Sequence, residues 1–147
     1  SMGMTKDLVV SEKESGNTAP SPDVEIEISG ADGIVIKDSI KSGTLTFSVF
    51  YKDQKPHENF VGHDINLVKI EDDGSLEELE MWMNWADPKG LIEPAPSGIT
   101  FLGGTNDMPA GSTGYFHSVL RPGNYVLISE VPAATTKNMM KTFTVSN

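Results

Sequence analysis

Cysteine is missing from all 147 positions of the chain. That absence excludes disulfides, thiolate metal sites and cysteine nucleophiles in one step. It carries no message about compartment, because a domain of this length buries enough apolar surface to do without crosslinks. Long apolar runs are missing too: nothing approaches the roughly 18 consecutive residues of a membrane span. Positive charge is scarce, with 11 Lys and Arg against 21 Asp and Glu, for a formal net charge of −10. Such a surface repels phosphate backbones and anionic headgroups, which argues against nucleic acid and anionic lipid as partners. Its simplest role is solubility. Motifs of common catalysts are absent as well: there is no Gly-x-Ser-x-Gly, no phosphate loop and no His-Glu-x-x-His. Nothing singles out a carboxylate pair for glycosidase chemistry.

What is present reads as one β domain behind a leader. Ser1-Met2-Gly3 has the look of a cloning remnant. Up to residue 22 the chain is polar and broken by Gly16, Pro20 and Pro22, with Leu8, Val9 and Val10 its only strongly apolar group. It buries too little to offset its ordering entropy, so residues 1–22 are expected to be a flexible leader. Leaders of this kind commonly join an export signal or lipid anchor to a domain, so an extracytoplasmic location is expected.

From residue 23 onward, period-2 alternation dominates. Val24, Ile26 and Ile28 alternate with polar residues, and Leu45, Phe47, Val49 and Tyr51 point away from Thr44, Thr46 and Ser48. Further apolar runs fall at 65–70, at Ile99 and Phe101, and at 115–120, 125–131 and 140–145. Short strands separated by Gly, Pro, Asp and Asn favour a sandwich over βαβ units. One stretch breaks the period. Ser75 and Glu78 match a capping box, and Leu76, Leu79 and Met83 share a helical face, which predicts a short helix over 76–82. Pro88 and Gly90 prevent the helix from continuing, and residues 87–111 are expected to form a long Pro- and Gly-rich excursion.

Several motifs then fall into a familiar order. Leu120-Arg121-Pro122-Gly123-Asn124-Tyr125 is a turn leading into an aromatic strand start, where a tyrosine can hydrogen-bond back to the upstream backbone. Gly123 to Ser129, with Asn138-Met139-Met140-Lys141-Thr142-Phe143-Thr144-Val145, resembles the last two strands of the plastocyanin-like cupredoxins. Gly103-Gly104 and Pro109-Ala110-Gly111 resemble the glycine-rich segment before them. Gly62-His63-Asp64-Ile65-Asn66-Leu67 resembles the strand that carries that family's first copper histidine. The resemblance spans roughly residues 33–145 and implies a Greek-key β-sandwich.

It also implies a copper site of two histidines, a cysteine thiolate and a weak axial methionine. Carried over position by position, His63 matches the first histidine and Met139 the methionine, while Ser129 stands where the cysteine belongs. The second histidine has no counterpart, since no histidine comes after His117. The loop at 130–137 is also shorter than in copper-binding relatives. A blue site depends on a strongly donating copper–thiolate bond, and a neutral hydroxyl does not replace it. No bound metal and no cofactor are therefore expected.

The remaining chemistry-bearing residues have ordinary readings. His57 is expected to be exposed in a polar turn, and His117 alternates in phase with Tyr115 and Val119 on a sheet face. Met81, Trp82, Met83 and Trp85 form a soft cluster, with Met108, Met139 and Met140 elsewhere. Soft ligands and indoles favour Cu(I), but methionine also fills core gaps. Glu71-Asp72-Asp73 and Glu77, Glu78 and Glu80 lack calcium-loop spacing and read as solvated faces. The expected function is a non-enzymatic, extracytoplasmic binding or structural domain. Its partner, another protein, would meet the long loop through Trp82, Met83, Trp85 and Met108. The alternative is a soft-metal (copper) handling protein using His63 and methionines. An enzyme built on the sandwich has only the fold's versatility in its favour.

Overall fold

A computed structural model describes Val9 and residues 16–37, 39–87 and 90–146. Most of the leader and Pro88 lie outside the described residues. Among the described residues, eight strands form two four-stranded sheets, the all-β sandwich with one short helix that the alternation predicts.

The first sheet has the order β2-β1-β3-β6. Strand β1 (Val24–Ser29) turns through Gly30 to Asp32 into β2 (Gly33–Ile36). The turn is held by Ser29, whose Oγ accepts from the Asp32 N–H at 3.0 Å. Strand β3 (Gly43–Tyr51) runs parallel to β1 and antiparallel to β6 (Thr113–Leu120). The second sheet has the order β5-β4-β7-β8, with β4 (Ile65–Ile70) paired to β5 (Ile99–Thr105) and β7 (Gly123–Ile128), and β7 paired to β8 (Met140–Val145).

Alternation tells which residues meet between the sheets. Val24, Ile26, Ile28, Phe47, Val49, Tyr51, Ile65 and Leu67 are buried, and Phe47 stacks on Phe116 with ring centroids 4.6 Å apart. Contacts of this kind add roughly 0.5–1.5 kcal/mol to the burial of the rings themselves. Tyr51 also bridges the layers, sharing a hydrogen bond with Thr105 Oγ1 at 2.7 Å and donating to the Asn106 carbonyl at 2.9 Å.

Two glycines allow backbones to approach closely. At Gly33 (φ +72°) an added Cβ would collide with the Asn138 carbonyl oxygen, the group that accepts from the Ile34 N–H. That contact ties the edge of the first sheet to the turn before β8. At Gly104 the same atom would collide with the Ile65 carbonyl oxygen, so β5 lies against β4 only without a side chain there.

Helix α1 (Leu76–Met83) joins β4 to β5, one residue longer than predicted. Ser75 caps it by accepting from the Glu78 N–H, and Leu79 and Met83 are buried. One expectation needs correction: residues 87–111 are not one excursion, because β5 forms inside them. Strand β2 is an element that alternation over four residues does not announce.

Candidate functional site

One end of the sandwich gathers the start of β4, the end of β7 and the lead-in to β8. His63, Ser129 and Met139 are all buried there. The Ser129 N–H donates to the Met139 carbonyl at 3.0 Å, and its hydroxyl donates to Asp64 Oδ1 at 2.5 Å. The Asp64 N–H makes a longer approach to the same hydroxyl, 3.4 Å. Ser129 therefore touches the backbone of both flanking segments.

Asp64 is the hub of this end. Its Oδ1 also accepts from the Glu130 N–H at 2.8 Å, and its Oδ2 accepts from Asn66 Nδ2 at 2.6 Å. Burial pushes the Asp64 carboxyl up, and the hydrogen bonds to Ser129, Glu130 and Asn66 work against that rise. Glu130 has fewer compensations. Burial, reinforced by the negative charges of Asp64 and Asp107, pushes its carboxyl up to about 7.

The His63 imidazole engages other groups. Its Nε2 lies 3.0 Å from His57 Nε2, and its Nδ1 lies 3.5 Å from Asp53 Oδ1 without reaching hydrogen-bond geometry. Gln54 clamps the backbone on either side, accepting from the His63 N–H at 2.7 Å and donating to the His63 carbonyl at 2.8 Å. Burial holds both histidines below the ordinary imidazole range, and for His57 the neighbouring His63 adds to the effect. One nitrogen of the pair donates and the other accepts. A proton on His63 Nδ1 faces the Asp53 carboxylate and frees Nε2 to accept from His57, so the carboxylate favours that tautomer.

His57 is thus half-buried and paired rather than simply exposed. His117 is exposed on its sheet, with Nδ1 3.1 Å from Thr46 Oγ1. The four residues expected to form a docking surface separate. Met83 is buried under the helix and cannot belong to an outer surface. Met108 is partly buried against the core. Trp82 is half-buried, its ring tilted against Phe101 with centroids 5.4 Å apart, and its Nε1–H donates to the Glu93 carbonyl at 2.9 Å. Of the four, Trp85 alone is exposed, at 54%, while its backbone N–H donates to the Glu130 carbonyl at 3.1 Å.

Phe60, which sequence reasoning misses, is 93% exposed at a backbone φ of +63°, next to Asn59 at +57°. A signal for it exists in the sequence: a large apolar residue at the end of the polar turn Lys55-Pro56-His57-Glu58-Asn59, with no alternation to bury it. Phe60 and Trp85 wall a cleft of about 250 Å³ lined also by Asp64, Asp107 and Glu130. A second cleft, of about 440 Å³, shares Trp85 and is lined by Leu91 and Ile92.

Comparison with known proteins places this architecture. No protein-family model matches the chain, and no curated protein matches its sequence significantly. Solved structures do. An auracyanin from the photosynthetic bacterium Roseiflexus castenholzii aligns with a TM-score of 0.58 at 20% identity, over 84% of this chain and 95% of its own. Auracyanin B aligns with 0.55 at 21%, over 88% and 94%. An azurin from Methylomonas sp. strain J aligns with 0.57 at 14%, over 84% and 96%.

The fold is that of the cupredoxins. Copper, however, does not fit the residues present in this cupredoxin fold. The chain has no thiolate to offer, and the hydroxyl in the cysteine's place is committed to Asp64. Among the described residues, no group of three or more His, Asp or Glu side chains gathers in a way that could hold a metal ion. A trigonal set that needs a thiolate cannot be assembled from imidazoles, an alcohol and a thioether.

Proposed function

We propose that this chain is a non-enzymatic, extracytoplasmic binding domain on a cupredoxin fold, with no type 1 copper centre, whose partner docks at the surface around Trp85. The observation that carries the reading is the division of roles at one end of the sandwich. The hydroxyl in the cysteine's place is tied to a buried carboxylate and His63 faces His57, while Phe60, Trp85 and Ile92 stand exposed on the loops outside. Exposed aromatics beside a cleft are the usual anchors of a protein contact. The extracytoplasmic location is supported by the leader composition and the fold resemblance.

Two measurements test this. Copper-loaded protein is expected to show no intense visible thiolate-to-copper band, and its appearance would end the reading. Phe60→Ala and Trp85→Ala are each expected to change unfolding free energy by less than about 0.5 kcal/mol, as surface sites do. A loss of several kcal/mol would assign both rings to folding instead of docking.

The soft-metal alternative through His63 and methionines has one observation behind it, the facing Nε2 atoms of His57 and His63. Titration with Ag(I), monitored through the histidine nitrogen shifts, tests it. Unchanged shifts at a stoichiometric equivalent remove it.

A further inference from the structure

Resting on the reading of the Trp85 surface as a docking site, we infer that its occupant is a basic protein segment that inserts a lysine or arginine side chain between Phe60 and Trp85. Three carboxylate residues, Asp64, Asp107 and Glu130, line the cleft together with those two rings, and no Lys, Arg or His is among the described residues that line it. A guanidinium or ammonium entering there meets aromatic rings and carboxylates together, a combination that favours cations over neutral groups. The alkyl stem of either side chain lies against the rings while its head reaches the acids.

Size narrows the occupant further. At about 250 Å³ the cleft falls below the range of roughly 300–1,000 Å³ typical of small-molecule sites. It has room for one long side chain. The second cleft shares Trp85 as a wall, and its Leu91 and Ile92 offer an apolar seat for a neighbouring residue of the same segment. A chain carrying a cation next to an aliphatic residue fills both.

Charge decides between a protein and a membrane. Exposed Phe60, Trp85 and Ile92 would also suit a lipid interface, but three acids beside them and a net charge of −10 repel anionic headgroups. The same field draws basic partners in and accelerates their encounter. Burial, reinforced by the charges of Asp64 and Asp107, pushes the Glu130 carboxyl up to about 7, and a cation settling among the three acids offsets the like-charge part of that rise.

The test titrates the full chain with three probes while monitoring the Trp85 indole N–H by NMR. They are acetyl-Gly-Leu-Arg-Leu-Gly-amide, the same peptide with Gln in place of Arg, and vesicles of phosphatidylcholine and phosphatidylserine. The Arg peptide is expected to shift Trp85 and to bind roughly tenfold more tightly than the Gln peptide, with the difference shrinking as salt rises. Asp107→Asn, at an exposed position, is expected to weaken the Arg peptide several-fold and leave the Gln peptide unchanged. Equal binding of both peptides at Trp85 overturns the basic occupant and leaves the docking surface standing. Vesicle binding that depends on Phe60 and Trp85, or no response to any probe, overturns the inference outright.

Discussion

Ser129 Oγ donates to Asp64 Oδ1 across 2.5 Å, joining the end of β7 to the residue before β4 inside the buried end of the sandwich. The same oxygen takes the Glu130 N–H, so a single carboxylate fastens two consecutive residues of the β7 exit. These hydrogen bonds close that end of the sandwich. Ser129→Ala removes the donor and leaves a buried acceptor short of one partner, an effect of about 1–3 kcal/mol. Urea unfolding should show a lower midpoint at an unchanged slope. An unaltered midpoint would mean that the bond contributes nothing.

Placing a thiol at the same position does not recreate the metal chemistry. Ser129→Cys supplies the missing sulfur, but His63 directs Nε2 to His57 and no further histidine lies after His117. Copper added to this variant is expected to give no trigonal blue centre, checked by visible absorption and by electron paramagnetic resonance. An intense band near that of the blue proteins would show that a second imidazole swings into place.

Glu130 gives the protein a pH dependence of defined sign. Its carboxyl is raised from the ordinary 4.5 to about 7 in the folded chain, so the folded state binds that proton more tightly than the unfolded state does. The stability this provides is complete below about 4.5 and is lost as pH rises through 7. Glu130→Gln keeps a neutral side chain at every pH. The variant is expected to match the parent near pH 5 and to exceed it near pH 8, as read from thermal or urea unfolding at the two values. A variant weaker than the parent at pH 8 would contradict the raised carboxyl.

Much of the scaffold is legible in the sequence because its causes are local. Alternation in Val24, Ile26 and Ile28 or in Phe47, Val49 and Tyr51 reports directly which side chains are buried, and Ser75 caps its helix through a contact three residues away. Other features depend on distant partners. Strand β2 rests on pairing with β1 and on the Asn138 carbonyl, more than 100 residues away in sequence. Asp64 and Glu130 are separated by 66 positions, so no spacing rule connects them. The segment carrying Gly103 and Gly104 reads as loop by composition, yet it pairs with β4 as a strand, and the close Ile65 backbone is what requires glycine at 104. Chemistry alone assigns Met83 to a surface, whereas its place on the helical face with Leu79 buries it.

Tyr125, expected from the turn before it to reach back to the upstream backbone, does so twice. Its hydroxyl donates to the Arg121 carbonyl at 2.6 Å and accepts from the Arg121 N–H at 3.1 Å, while its ring stacks on Phe143 at 5.5 Å. Tyr125→Phe keeps the stacking and removes both hydrogen bonds at the turn into β7. A loss of about 1–2 kcal/mol is expected, one hydrogen bond's net contribution or slightly more. Tyr125→Ala, which also empties a buried ring site, is expected to cost about 3–5 kcal/mol. Equal losses in the two variants would place the whole effect in the hydroxyl.

The histidine pair acts in the opposite direction to Glu130. Burial holds His57 and His63 below the ordinary value of 6.5, so the unfolded chain binds their protons more readily. Their contribution to stability is present above about 6.5 and is lost as pH falls through the depressed folded values. The groups facing the pair explain why no compensating charge prevents this. Asp53 approaches His63 Nδ1 only to 3.5 Å, Glu58 acts weakly on His57, and Lys55 and Lys137 disfavour a further positive charge. In His57→Gln one titrating ring is gone, and an amide can still meet His63 Nε2. That variant is expected to lose less stability than the parent between pH 7 and pH 5. Nitrogen NMR of the parent should find His63 titrating below the ordinary 6.5, with the neutral ring's proton on Nδ1. Titration above 6.5 would mean that Asp53 outweighs burial.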